Sequence, residues 1–126
     1  VLAVSVHLSW WDKGFQGEWA KLEDALLAKG LPLIIMGDFN NPYGHEGYQM
    51  ILDSKLGLKD SHAIAKETSG GHTIEANIDG WEGNEHDLKV DYIFTNLDVS
   101  IKSSQVVFDG ENSPVLSDHF GVSASW

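Results

Sequence analysis

Leu33–Pro42 reads LIIMGDFNNP, four apolar residues that run straight into Gly37, Asp38 and Asn40. A short apolar run of this kind predicts a buried strand, ended at Gly37. A strand that stops in a carboxylate and an amide puts polar side chains where the loops of a layered α/β protein converge, the usual place for its ligand.

Working outward, Leu2, Val4, Val6 and Leu8 alternate with Ala3, Ser5 and His7. That period of two predicts a strand with His7 near its end. Phe15, Trp19, Leu22 and Leu26 follow at spacings of four, three and four, one stripe of an amphipathic helix that Gly30 should stop. Strand, helix and strand with brief connections make a βαβ-like unit. Beyond the NNPYG turn, Tyr48, Ile51 and Leu52 suggest a short helix with Leu56 and Leu58 packed behind it. Residues 65–89 are rich in Gly, Asn, Asp and Glu and read as a long surface loop in which only HTI, His72 to Ile74, suggests a brief strand. KVDYIFTN and VSIKSSQVVF read as two strands joined by a turn near Asn96 to Asp98. A loop from Asp109 to Asp118 then leads to the closing strand HFGVSASW. With no repeat, linker or low-complexity tract, residues 1–126 form one unit.

With 126 residues, 42% of them hydrophobic, the chain can bury a real core. It has no cysteine, which removes disulfide scaffolds, thiolate zinc sites and cysteine nucleophiles. Eight Lys and Arg against 19 Asp and Glu give a net charge of −11, the wrong sign for a protein that holds polyanions by counterion release. A divalent cation could reverse the field locally, so the charge disfavours a broad nucleic-acid groove without excluding phosphate chemistry. VLAVSVHL lacks the basic region and cleavage site of a signal peptide, and no apolar run reaches the roughly 20 residues of a membrane span. The expectation is a soluble domain, with no membrane partner, that begins in mid-pattern as a piece of something longer.

Polar residues mark four strand boundaries: His7; Asp38 and Asn40; Asp91; and Asp118 with His119. Singly, an Asp after a strand is usually a turn former, and a His at a strand end is usually solvated. Together they are an inventory for metal-assisted phosphate-ester hydrolysis, in which carboxylates take a hard divalent cation, imidazoles serve as acid, base or phosphate donor, and an amide orients phosphate or water. A serine nucleophile is a poorer reading. There is no G-x-S-x-G elbow, and contiguous Ser117, Asp118 and His119 point alternately to opposite faces of an extended chain.

MGDFNNP, VDYIF and LSDHFGV, in that order, together with VHL near the start, resemble the C-terminal half of the endonuclease/exonuclease/phosphatase superfamily. The resemblance implies half of a DNase I-like four-layer α/β sandwich, an α/β (α+β layered) fold whose mixed, mainly antiparallel sheet has flanking helices. It implies that Asp38 and Asn40 polarise the attacking water and contact the scissile phosphate, and that His7 binds a phosphate oxygen or helps protonate the leaving group. His119 is then the catalytic imidazole oriented by Asp91, and Asp118 a carboxylate for Mg²⁺ or Mn²⁺. The family's N-terminal half, with its Asn motif and metal-ligating Glu, would precede Val1, and Glu18 and Glu23 on the helix do not replace that Glu.

EANIDGWEGNEHDLKVDYIF is an acidic stretch with a single Trp. Its bland reading is a solvated loop. As a specificity loop, Trp81 and Asn84, with Trp10 and Trp11 after the first strand, would stack on a sugar ring and bond its hydroxyls. HLSWWDKG and IDGWEGN are similar to the maltose 6'-phosphate phosphatase-like branch, which implies a small phosphorylated sugar as substrate and favours the cytoplasm. The alternatives are a nuclease, a sphingomyelinase-type phosphodiesterase, or an isolated half that is inactive. The strands VLAVSVHL, PLIIM, DYIF and SQVVF read as apolar on both sides, so one sheet face would lie open and the chain alone should form a homodimer.

Overall fold

The computed structural model describes residues 1–111 and 113–126; of the expected Asp109–Asp118 loop, Asn112 lies outside the described residues. β1 (Leu2–His7) runs into helix α1 (Phe15–Lys29) through a 3-10 turn at Trp11–Lys13, and β2 (Leu33–Asp38) follows. β1 and β2 pair in parallel, so the expected βαβ unit is present. α1 ends where Gly30, at φ 62°, turns its N–H back to the Leu26 carbonyl, a left-handed cap that glycine adopts at little cost.

After α2 (Glu46–Leu52) come β3 (Lys59–Asp60), α3 (Ser61–Ile64), β4 (Glu67–Ser69), β5 (Asp91–Thr95), β6 (Ser103–Val107) and β7 (Gly121–Ser125). They form a four-stranded sheet ordered β1-β2-β5-β3 and a three-stranded sheet ordered β4-β6-β7. The mixed α/β architecture with mainly antiparallel pairing is as expected: β2–β5, β3–β5 and β6–β7 are antiparallel, β1–β2 and β4–β6 parallel. β5 and β6, though consecutive along this stretch, lie in different sheets. HTI makes no strand; Ile74 bridges Leu88 alone, and the polar segment of β4 supplies a strand that the sequence did not announce.

One face of the larger sheet carries the core. Leu33 and Ile35 from β2 and Tyr92 and Phe94 from β5 are buried against Phe15, Trp19 and Leu26 of α1 and Ile51 of α2. Each such side chain fully withdrawn from water contributes about 1.5–3 kcal/mol. The opposite face differs from the expectation of an apolar surface on both sides of every strand. β1 there presents exposed Ala3, Ser5 and His7, while Leu2, Val4 and Val6 turn inward. Ile34, Met36 and Ile93 are the half-buried apolar residues of that outer face.

β2 runs two residues beyond Met36, so Asp38 is the last ladder residue and not a loop residue. Gly37 permits this. It pairs with Val6 at φ 137°, and a Cβ there would run into the Val6 carbonyl oxygen.

Candidate active site

Register does the first part of the assembly. His7 pairs with Asp38, and Asp38 pairs with Asp91, so three residues from three adjacent strands stand in one row across the outer face. Directly paired residues of neighbouring strands point the same way with Cβ atoms about 5 Å apart. His7 Nε2 lies 3.5 Å from Asp38 Oδ2. His119, on the approach to β7, completes the group: its Nδ1 is 2.8 Å from Asp91 Oδ2 and its Nε2 3.7 Å from Asp38 Oδ2.

Thr73 brings His119 to Asp91, and nothing in the sequence marked it. This fully buried residue accepts at its hydroxyl from the Val90 and Asp91 N–H groups, and at its carbonyl from the Phe120 N–H at 2.7 Å. The start of β5 and the approach to β7 are thereby fixed to one residue.

Asn40 and Asn41 brace the strand ends from behind. The Asn40 N–H donates to Asp38 Oδ1 at 2.8 Å, leaving Oδ2 for the two imidazoles, and its side-chain amide donates to the Leu8 carbonyl at 2.7 Å. Asn40 adopts φ 50°, a left-handed conformation that Asn tolerates better than most residues. Asn41, buried and unremarked in the sequence reading, donates to the Ser9 and Phe39 carbonyls. Glu18 closes the same corner by accepting from the Ser9 N–H and hydroxyl at 2.7 and 2.8 Å.

Burial raises the pKa of Asp91 above the carboxylate norm, outweighing the hydrogen bonds from His119 and Thr73 that favour its charged form. Burial alone would lower that of His119. The hydrogen bond and charge of Asp91, then the charges of Asp38 and Asp118, outweigh burial and hold the imidazole above its ordinary 6.5. The pair keeps a proton on His119, with Nδ1–H directed at Asp91 and Nε2 facing Asp38.

Asp38, Asp91 and His119 offer ligand atoms within 4.8 Å of one another and could hold a metal ion. Asp118 lies outside that group. Its Oδ2 accepts the Trp81 indole N–H at 3.0 Å and its Oδ1 the Ser117 hydroxyl at 3.1 Å. Trp81 meets both His119 and Trp10 edge to face, each with ring centroids 6.0 Å apart. Trp11 turns the other way, onto Phe15 and the core. Asn84 is spent on its own loop, with its side-chain amide on the His86 carbonyl and its N–H on the Trp81 carbonyl. The residues assembled at one place are therefore His7, Asp38, Asn40, Asp91, His119 and, along its border, Asp118, Trp81 and Trp10.

The family model for the endonuclease/exonuclease/phosphatase family matches residues 2–119. The chain belongs to that family. A solved family protein from Leptotrichia buccalis is 31% identical, with a TM-score of 0.67 over 82% of this chain and 41% of its own. Two more distant structures share the fold. They are a mannosyl-6-phosphatase from Bacteroides thetaiotaomicron (24% identity, TM-score 0.65, 96% of this chain and 49% of that one) and a magnesium-bound beta toxin from Staphylococcus aureus (15%, 0.71, 97% and 51%). The family chain thus spans about half the length of these structures. No curated protein matches it significantly. Among the described residues no helix is long and apolar enough to cross a membrane.

Proposed function

We propose that the row of His7, Asp38, Asp91 and His119 hydrolyses phosphate esters, and that the substrate of the protein carrying this chain is a small phosphorylated sugar. The observation that carries this reading is Asp38 Oδ2, placed 3.5 and 3.7 Å from two imidazole Nε2 atoms while Asn40 holds the other oxygen. Asp38 can accept a proton from an attacking water, and the His119 and His7 imidazoles can serve as hydrogen-bond donors to the phosphate oxygens where negative charge develops. Asp91 keeps His119 in the tautomer that points Nε2 at the substrate.

Mg²⁺, or Mn²⁺, is the cofactor this reading takes. The donor set fits a hard cation that keeps several of its waters, because Asp38 and Asp91 would offer it carboxylate oxygens within 4.8 Å of each other. When bound, such an ion neutralises phosphate charge and acidifies a water. The His119–Asp91 hydrogen bond argues for oxygen ligation, since a metal on Nδ1 would have to break it.

Residues 1–126 are read as the C-terminal half of the domain, a reading supported by the share of each relative that they span. By itself the half should turn over little, and should pair with a second copy across Ile34, Met36 and Ile93; sedimentation equilibrium of the 126-residue chain checks that pairing. A cytoplasmic site of action goes with a sugar-phosphate substrate.

The test is turnover by the protein that carries this chain, with Mg²⁺ or Mn²⁺ titrated against glucose 6-phosphate, p-nitrophenyl phosphate and plasmid DNA. Cation-dependent release of phosphate from the first two is expected. Cleavage of DNA without phosphate release would replace this reading with a nuclease, and no turnover of any of the three would remove hydrolysis from the site.

A further inference from the structure

The family resemblance gives Asp118 a cation, whereas the structure gives it an indole. Asp118 Oδ2 accepts the Trp81 indole N–H at 3.0 Å and its Oδ1 the Ser117 hydroxyl at 3.1 Å, so both oxygens are engaged within the chain. Trp81 is set by that bond between Trp10 and His119, edge to face with each. An aromatic wall then runs from the end of β1 to the approach to β7, beside the imidazole whose Nε2 faces Asp38.

The wall is held on both sides. Trp10 follows Ser9, which Glu18 grips at 2.7 and 2.8 Å. The Trp81 segment closes on itself through the Trp81 N–H to the Ile78 carbonyl and the Asn77 N–H to the Asn84 carbonyl, each at 2.8 Å. Asp118 ties that closed segment to the catalytic row.

We infer that Asp118 is a positioning residue, and that the Trp81 ring it holds is the platform for the leaving group, a neutral pyranose; this rests on the phosphoester-hydrolase reading of the same row. An indole N–H donated to a carboxylate leaves the ring more electron-rich. Its face then favours the electropositive C–H groups of a sugar and disfavours anions. Charge points the same way. Residues 75–87 carry Glu75, Asp79, Glu82, Glu85 and Asp87 with no Lys or Arg, so a second phosphate or a polynucleotide meets repulsion there. The wall selects a single phosphate attached to an uncharged ring.

The test uses the protein that carries this chain, labelled with 5-fluorotryptophan, with Trp81→Phe assigning the Trp81 fluorine line. That line is expected to shift with glucose 6-phosphate and to stay put with glycerol 3-phosphate, which has the ester but no ring. It is also expected to move in Asp118→Asn with no substrate or metal present, a change that a purely metal-ligating Asp118 would not produce. In Trp81→Ala the ratio of kcat/KM for glucose 6-phosphate over glycerol 3-phosphate should fall about tenfold, carried by KM. Trp81→Phe, which keeps a ring, should cost about threefold. A ratio unchanged in Trp81→Ala, or a fluorine line indifferent to glucose 6-phosphate or to Asp118→Asn, overturns the inference while leaving hydrolysis intact. A line that shifts in a protein that hydrolyses no phosphate ester keeps the platform and removes the hydrolase reading.

Discussion

His7, Asp38 and Asp91 owe their positions to strand register, whereas Trp81 owes its position to a self-closing segment and one bond to Asp118. In the first region the backbone that carries each side chain cannot shift without breaking a ladder of backbone hydrogen bonds. In the second a few local bonds hold a ring whose partners are side chains. Groups that move protons need fixed distances, and groups that select a leaving group tolerate exchange, so under the proposed function the two regions would divide the work of the site.

The sharpest way to break this comparison is to change chemistry in the rigid row without changing its fold. Asp38→Asn and His119→Ala should each lower kcat by about 10²- to 10⁴-fold with a sugar phosphate, while circular dichroism and the unfolding midpoint change little. Near-wild-type kcat in either variant would remove the role assigned to that residue.

Backbone substitutions sharpen it next. Gly37→Ala puts a methyl group into the Val6 carbonyl at a φ of 137°, and should cost about 3 kcal/mol in urea unfolding. Gly83→Ala, at φ 87° but with open space around it, should cost about 1 kcal/mol. Equal losses at the two positions would mean that the loop is as constrained as the ladder.

Thr73 lies where the two regions join. Thr73→Val keeps the shape but leaves the Val90 and Asp91 N–H groups without their acceptor, at an expected cost of about 2 kcal/mol. Because the same residue orients Asp91, kcat should fall with stability. A variant that loses stability while keeping kcat would show that His119 finds Asp91 without this brace.

The sequence discloses the row better than it discloses what surrounds it. β1 and α1 were legible because their apolar residues repeat at the period of a strand and of a helix, and β2 and β5 because each is a short apolar run that meets polar residues at its end. β4, Glu67–Thr68–Ser69, was not, because an exposed polar strand three residues long has no period to show. Asn41 and Thr73 act through backbone atoms distant in sequence, the Ser9 carbonyl and the Phe120 N–H, and their side chains carry no signature of that work. Trp10 and Trp11 look alike in the sequence. A single 3-10 turn sends one to Trp81 and the other to Phe15, and spacing alone does not predict which. Asp118 was legible as a polar residue of the site, but its indole partner lies in a segment without periodicity.

The smallest expected effect separates the two sheets by sign. In the smaller sheet's neighbourhood, His62 contacts Ser104 Oγ through Nδ1 at 2.8 Å and the Gly70 carbonyl through Nε2 at 3.0 Å. A carbonyl can only accept, so Nε2 carries the proton and Nδ1 accepts from the Ser104 hydroxyl; the neutral ring is fully paired. Burial, followed by the charge of Lys89, pushes its pKa below 6.5, against the opposing Gly70 bond and Asp60 charge. The unfolded chain therefore binds a proton that the folded chain refuses. The stability that His62 contributes is present in full above 6.5 and is lost as pH falls from there through the folded value. His119 runs oppositely: its pKa is raised, so its contribution is full below 6.5 and is lost as pH rises through the folded value. Urea unfolding across about pH 5 to 8 should show His62→Asn flattening the acid side of the stability curve and His119→Asn the alkaline side. If both variants flatten the same side, one of the two environments is not the one that the hydrogen bonds describe.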